Sequence, residues 1–123
     1  MGSSYFVSAD RHTGAAWPFT AEQLTASVVR IWPQSSVNED NDDTLNITVR
    51  AGDHHCELSY QVDLQVLIFR DQEPLSAPLT VVHTLLRELA PGVLAVWWAD
   101  FDATLEPLDP TLDLQQFIDD FGA

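Results

Sequence analysis

The chain has no lysine, and its five basic residues are all arginine: Arg11, Arg30, Arg50, Arg70 and Arg87. Against them stand nineteen Asp and Glu residues, for a formal net charge of −14. So little positive charge argues against direct binding to nucleic-acid phosphates or anionic membranes, both of which need clustered cations. There is one cysteine, Cys56, so no disulfide can form within the chain, and the small disulfide-stapled secreted scaffolds are excluded. No apolar run approaches the ~20 residues of a membrane helix. The opening Met-Gly-Ser-Ser-Tyr-Phe-Val has neither the basic region nor the long apolar core of a secretory signal, so a cytoplasmic location is the expectation. Glycine-rich phosphate loops of the G-x-G-x-x-G or G-K-[ST] type are missing, as are C-x-x-C and H-E-x-x-H pairs. No cofactor is expected. Arginine without lysine suits a GC-rich bacterial or phage genome, while strong acidity also suits a halophile.

What is present is enough for one domain spanning residues 1–123. A hydrophobic content of 46 % supports a packed interior rather than a disordered tail. Tyr5 to Ala9 reads as a first strand. Thr20 and Gln23 have the spacing of a capping box, with Phe19 and Leu24 as its hydrophobic staple. Leu24, Val28, Ile31 and Trp32 then share one helical face up to Pro33. Residues 34–43 read as an acidic loop. Leu45, Ile47 and Val49 alternate with polar residues, which predicts a half-buried strand, and a turn follows at Ala51-Gly52-Asp53.

The next run, Cys56 to Ile68, alternates so regularly that it reads as one strand. Extended, it would span roughly 45 Å, so a bend, bulge or overhang is expected. Its polar side turns apolar at Leu67 and Phe69, and a terminal helix or a dimer partner should cover that end. A second helix is predicted over 77–90, stopped by Pro91-Gly92, and a central strand over 93–98. Asp109-Pro110 reads as the cap and first residue of a third helix, with Leu114, Phe117, Ile118 and Phe121 as its buried stripe. The order β-α-β-β-α-β predicts an α+β, ferredoxin-like sandwich: an antiparallel sheet of about four strands, two helices on one face, and an additional C-terminal helix.

Two stretches carry chemically interesting residues, and three readings of them arise. His54 and Cys56 stand two apart and project to the same side of a strand, which makes them the candidate metal pair. A zinc site needs four ligands or three and a water, so His12, His83 or further acids would have to join them. Cys56 as a nucleophile would need one of the histidines as base and a lowered pKa, yet it opens the apolar side of its own strand, where an inert thiol is expected. Asp100 and Asp102 form a D-x-D pair of the kind that holds magnesium and phosphate, but there is no phosphate loop beside it. No catalytic residue and no metal site is therefore assigned.

The remaining signal is electrostatic and aromatic. The expected activity is that of a small, non-enzymatic, acidic binding or inhibitor protein. It captures a basic protein partner through an acidic rim of Asp100, Asp102 and Glu106, with Trp97 or Trp98 as anchor. A bacterial toxin-immunity role is the first expectation for such a protein. The other readings are a ligand-binding or enzymatic ferredoxin-like domain acting as a dimer, a nucleic-acid mimic of the anti-restriction kind, and a halophile subunit whose acidity serves solvation alone.

Overall fold

The computed structural model describes residues 3–41 and 43–122. In chain order the elements are β1 (Ser4–Ala9), α1 (Ala21–Ile31), β2 (Ser36–Asn41), β3 (Thr44–Ala51), β4 (His54–Gln61), β5 (Val66–Arg70), α2 (Ser76–Leu89), β6 (Ala95–Ala99), β7 (Asp102–Leu108) and α3 (Leu114–Phe121). The seven strands form one sheet in the order β2-β3-β4-β5-β1-β6-β7. Every neighbouring pair is antiparallel. The first strand of the chain thus lies deep in the sheet, and α2 carries the chain from β5 past β1 to β6.

This corrects the expected ferredoxin-like sandwich of about four strands and two helices. Three differences make the change. Residues 36–41, expected in a loop, form β2 and pair with β3 from Ser36 opposite Thr48 to Asn41 opposite Thr44, with an irregularity after Glu39. Val37 is the only apolar residue there, so the pairing is made by backbone, and Glu39 and Asp40 leave a charged edge that resists further strands. Asp42, part of the same expected loop, lies outside the described residues.

The long alternating run is not one strand. It breaks into β4 and β5, joined by residues 62–65, with Gln65 at φ 53°. Cys56, Leu58 and Tyr60 point to the core from β4, whereas Leu67 and Phe69 do so from β5. The core positions shift from even to odd numbers, because a chain that turns back does not preserve side-chain parity. The apolar change at Leu67 and Phe69 was the mark of this turn. Finally, residues after Trp98 form β7 against β6, Ala95 facing Leu108 and Trp97 facing Glu106.

All three helices lie on one face of the sheet and share a continuous core with it. Leu24 and Val28 of α1, Leu79, Val82 and Leu86 of α2, and Phe117 and Phe121 of α3 pack with Val7, Ile47, Cys56, Leu58 and Phe69. The capping box of α1 forms as expected: the Thr20 hydroxyl accepts from the Gln23 amide and the Gln23 side chain accepts from the Thr20 amide. The start of α3 is corrected from Asp109 to Asp113, whose side chain accepts from the Gln116 amide. Asp109 instead accepts from the amide and hydroxyl of Thr111, three residues short of the helix. Gly122, at φ 95°, closes α3 in the left-handed conformation that a side chain disfavours.

Tyr60 sits at the inner end of an aromatic group with Trp17 and Phe19, ring centroids 6.2 and 5.7 Å away. Burial pushes its phenol up to about 12, with Arg11 pulling weakly in the other direction. An unfolded chain ionises this tyrosine near pH 10, while the folded chain still holds it neutral. The linked stability is therefore complete below about pH 10 and is lost as pH rises towards 12, by up to about 3 kcal/mol. Tyr60→Phe is expected to reduce the alkaline loss of stability, read from denaturation midpoints at pH 8 and above; an unchanged alkaline loss would contradict the assignment.

Candidate functional site

Among the described residues, no group of three or more His, Cys, Asp or Glu side chains is placed to hold a metal ion. His54 and Cys56 share a strand but not an environment: His54 is exposed, and Cys56 is wholly buried on the helix-covered face. Burial raises the Cys56 thiol above its ordinary range, which is the opposite of activation for nucleophilic attack. His83 is also buried. Its Nε2–H donates to the Leu112 carbonyl at 2.7 Å and its ring lies 4.8 Å from that of Phe117, so it ties α2 to the segment before α3.

The acidic residues gather at the sheet end where β5 leaves for α2, β1 begins and β6 turns into β7. The backbone brings them together. The Asp71 amide donates to the Ser3 carbonyl at 2.8 Å on one side of β1, and the Asp100 amide to the Ser4 carbonyl at 3.0 Å on the other. The Asp100 carboxylate also accepts from the Ser4 amide at 3.1 Å. Tyr5 stands between them. Its phenol is raised, first by partial burial and then by the charges of Asp71 and Asp100. Asp102 accepts from the Thr104 amide at 3.0 Å, and its hydrogen bonds to Thr104 hold its carboxyl below the usual range.

A pocket of about 780 Å³ adjoins this end, lined by Asp71, Glu73, Pro74, Leu75 and Ile118, with Gln72 and Ser76. A lining of two acids with Pro74, Leu75 and Ile118 suits a long basic side chain, which needs a place for its stem as well as its charge.

The aromatics are arranged differently from the order of expectation. Trp97 faces the helices and stacks on Phe121 at 4.1 Å, with its indole N–H buried and without a hydrogen-bond partner among the described residues. Trp98 faces the opposite side of the sheet and stacks on Phe6 at 5.5 Å, nearly coplanar at 11°. Glu106 lies exposed on β7, opposite Trp97. The aromatic between Asp100 and Asp102 is Phe101, which is 70 % exposed at the tip of the β6–β7 turn and meets Tyr5 edge-on at 6.4 Å. The structure thus brings Asp100 together with two residues that spacing along the chain does not connect to it, Tyr5 and Asp71, and leaves Phe101 exposed beside them. A large apolar residue flanked by two acids, Asp-Phe-Asp, was the available signal for Phe101.

No helix among the described residues is long and apolar enough to cross a membrane. No protein-family model matches the chain, and neither the curated proteins nor the solved structures compared with it include a match.

Proposed function

We propose that this protein binds a basic protein partner, and that the sheet end carrying Asp71, Glu73, Asp100 and Asp102 receives it. The convergence of Asp71 and Asp100 on Tyr5, with Phe101 exposed beside them, is the observation that supports this most. A guanidinium group entering there would meet carboxylates just past the ends of two strands, β5 and β6, and aromatic rings beside them for cation–π contact. The net charge of −14 steers a basic surface towards the molecule at long range, and the aromatic tip then holds it.

The biological role we propose is inhibition of a toxin, as an immunity protein. Enzymes that act on nucleic acid present cationic surfaces to phosphate, and a polyanionic cap is suited to blocking them. Catalysis forms no part of this proposal.

The test is kinetic. A partner captured on the immobilised chain is identified, purified and measured by surface plasmon resonance at two ionic strengths. The doubly substituted Asp71→Asn, Asp100→Asn variant keeps side-chain oxygens that can accept the same hydrogen bonds and removes two charges. It is expected to associate about tenfold more slowly at low salt and to show a flatter salt dependence. An acidic partner, or association indifferent to salt in the unsubstituted protein, would overturn the proposal.

A further inference from the structure

Among the described residues, no helix covers the second face of the sheet. Strand alternation and register place three rows of side chains on it. One row runs Asn38, Asn46, Ser59, Ile68, Phe6, Trp98, and the next runs Gln61, Val66, Ser8, Val96, Pro107. The third holds Ser36, Thr48, Glu57, Arg70 and Ser4. The face is apolar towards β1 and β6 and polar but mostly uncharged towards β3. A shallow pocket of about 860 Å³ lies in its polar half, with Thr48, His55, Glu57, Ile68 and Arg70 along it.

Its charge sets it apart from the rest of the molecule. The chain has nineteen acids, yet in the five central strands, among the described residues, Glu57 is the only one on this face. Two of the five arginines, Arg50 and Arg70, share the face with it. Glu57 and Arg70 are cross-strand neighbours, one step beyond the Leu58–Phe69 pair, and the described residues contain no ion pair for either arginine. Acidity that served solvation alone would not spare one face. A nucleic acid or an anionic membrane would require more positive charge than two arginines. A basic partner would favour acids here.

We infer that this face binds a second copy of the same chain. In a two-fold pair each surface meets its own image, so every acid near the axis would be set against itself. A chain of net charge −14 can associate with itself only through a patch from which acid is withheld. The Glu57–Arg70 neighbours allow reciprocal pairing across the axis, the Arg70 of each copy towards the Glu57 of the other. Ile68, Phe6 and Trp98, all half-buried in the single chain, and Leu105, which is 40 % exposed, supply apolar contact. Seven strands about 4.8 Å apart and three rows about 7 Å apart give a face of roughly 600 Å² in projection. Two such faces come to roughly 1,200 Å², at the lower limit of specific interfaces. The pair should therefore dissociate on dilution.

Sedimentation velocity on the full chain, from low to high micromolar concentration and at two salt concentrations, tests this. The expected result is a shift with concentration from 13.7 kDa to twice that mass, favoured by salt, which screens the repulsion between the two copies. Asn46→Glu, an exposed position on the polar half, and Ile68→Glu at the centre should each weaken the pair by about tenfold or more in Kd. Val29→Glu, which adds the same charge to an exposed site on α1 behind the sheet, should leave it unchanged. Circular dichroism confirms that each variant is folded, and Asn46→Glu decides the matter if Ile68→Glu is not. Monomer at every concentration and both salts overturns the inference, as does a dimer that Asn46→Glu does not weaken.

Discussion

Phe117→Ala should lower the free energy of unfolding by about 4 kcal/mol, in the range found when a buried phenylalanine is truncated. Phe117 is wholly buried, and its ring lies against His83, whose Nε2–H is held by the Leu112 carbonyl. The substitution therefore leaves a cavity between α2 and α3 and loosens the contact that orients His83. A domain of this size is stabilised by only about 5–15 kcal/mol, so the effect is a large share of the total. Urea denaturation measures it: the midpoint should fall with the slope unchanged. An unmoved midpoint would mean that α3 is not docked. Docking of α3 also supports the sheet end, because Phe121 packs on Trp97 at 4.1 Å and on Tyr5 at 5.4 Å.

Phe101→Ala should act on binding and leave stability almost untouched. Its side chain is 70 % exposed, so its removal costs the folded chain little. If it anchors the partner as a hot-spot aromatic does, truncation costs about 2 kcal/mol of affinity, which is about a thirtyfold faster dissociation. The charge substitutions at Asp71 and Asp100 act on association instead, so the two kinds of variant separate steering from anchoring. Leu64→Ala is the matched control: Leu64 is 53 % exposed in the β4–β5 turn, at the opposite end of the sheet. Dissociation measured by surface plasmon resonance should be unchanged by it. Equal effects of Phe101→Ala and Leu64→Ala would exclude Phe101 as the anchor.

Features set by local chemistry were legible in the sequence. The Thr20–Gln23 capping box, the Pro33 stop and, of the expected α3 stripe, the burial of Phe117 and Phe121 depend on residues within one or two turns of each other, whereas Leu114 and Ile118 are only half-buried. Features set by pairing were not. β2 contains little apolar residue to betray it, and its partner supplies the backbone bonds. The alternation from Cys56 to Ile68 looked unbroken because the turn at 62–65 carries Val62 and Leu64 at the parity of the strand before it. Only the switch to Leu67 and Phe69 distinguishes a hairpin from a long strand, and by itself that switch looks the same as an apolar patch needing a separate cover. Those residues do meet α3, through Phe69 and Phe121 at 6.0 Å, but on the same face as the other helices. Asp113 was hidden behind Asp109-Pro110, which has the better local pattern of a helix start. At the candidate site, Asp100 and Asp102 were visible as neighbours in the chain. Tyr5 and Asp71 reach them only through the pairing of β1 with β5 and β6, which no local pattern encodes.

Partner capture at the β5–β6 end is tested most directly by NMR. The isotope-labelled protein is titrated with a short arginine-rich peptide, and amide shifts are followed at moderate salt, where diffuse attraction is screened. The largest shifts are predicted at Tyr5, residues 71–76 and residues 100–102, with Phe101→Ala reducing them. Shifts spread evenly over the acidic positions, as large at Glu39, Asp40 and Asp63 as at Asp71 and Asp100, would contradict the account.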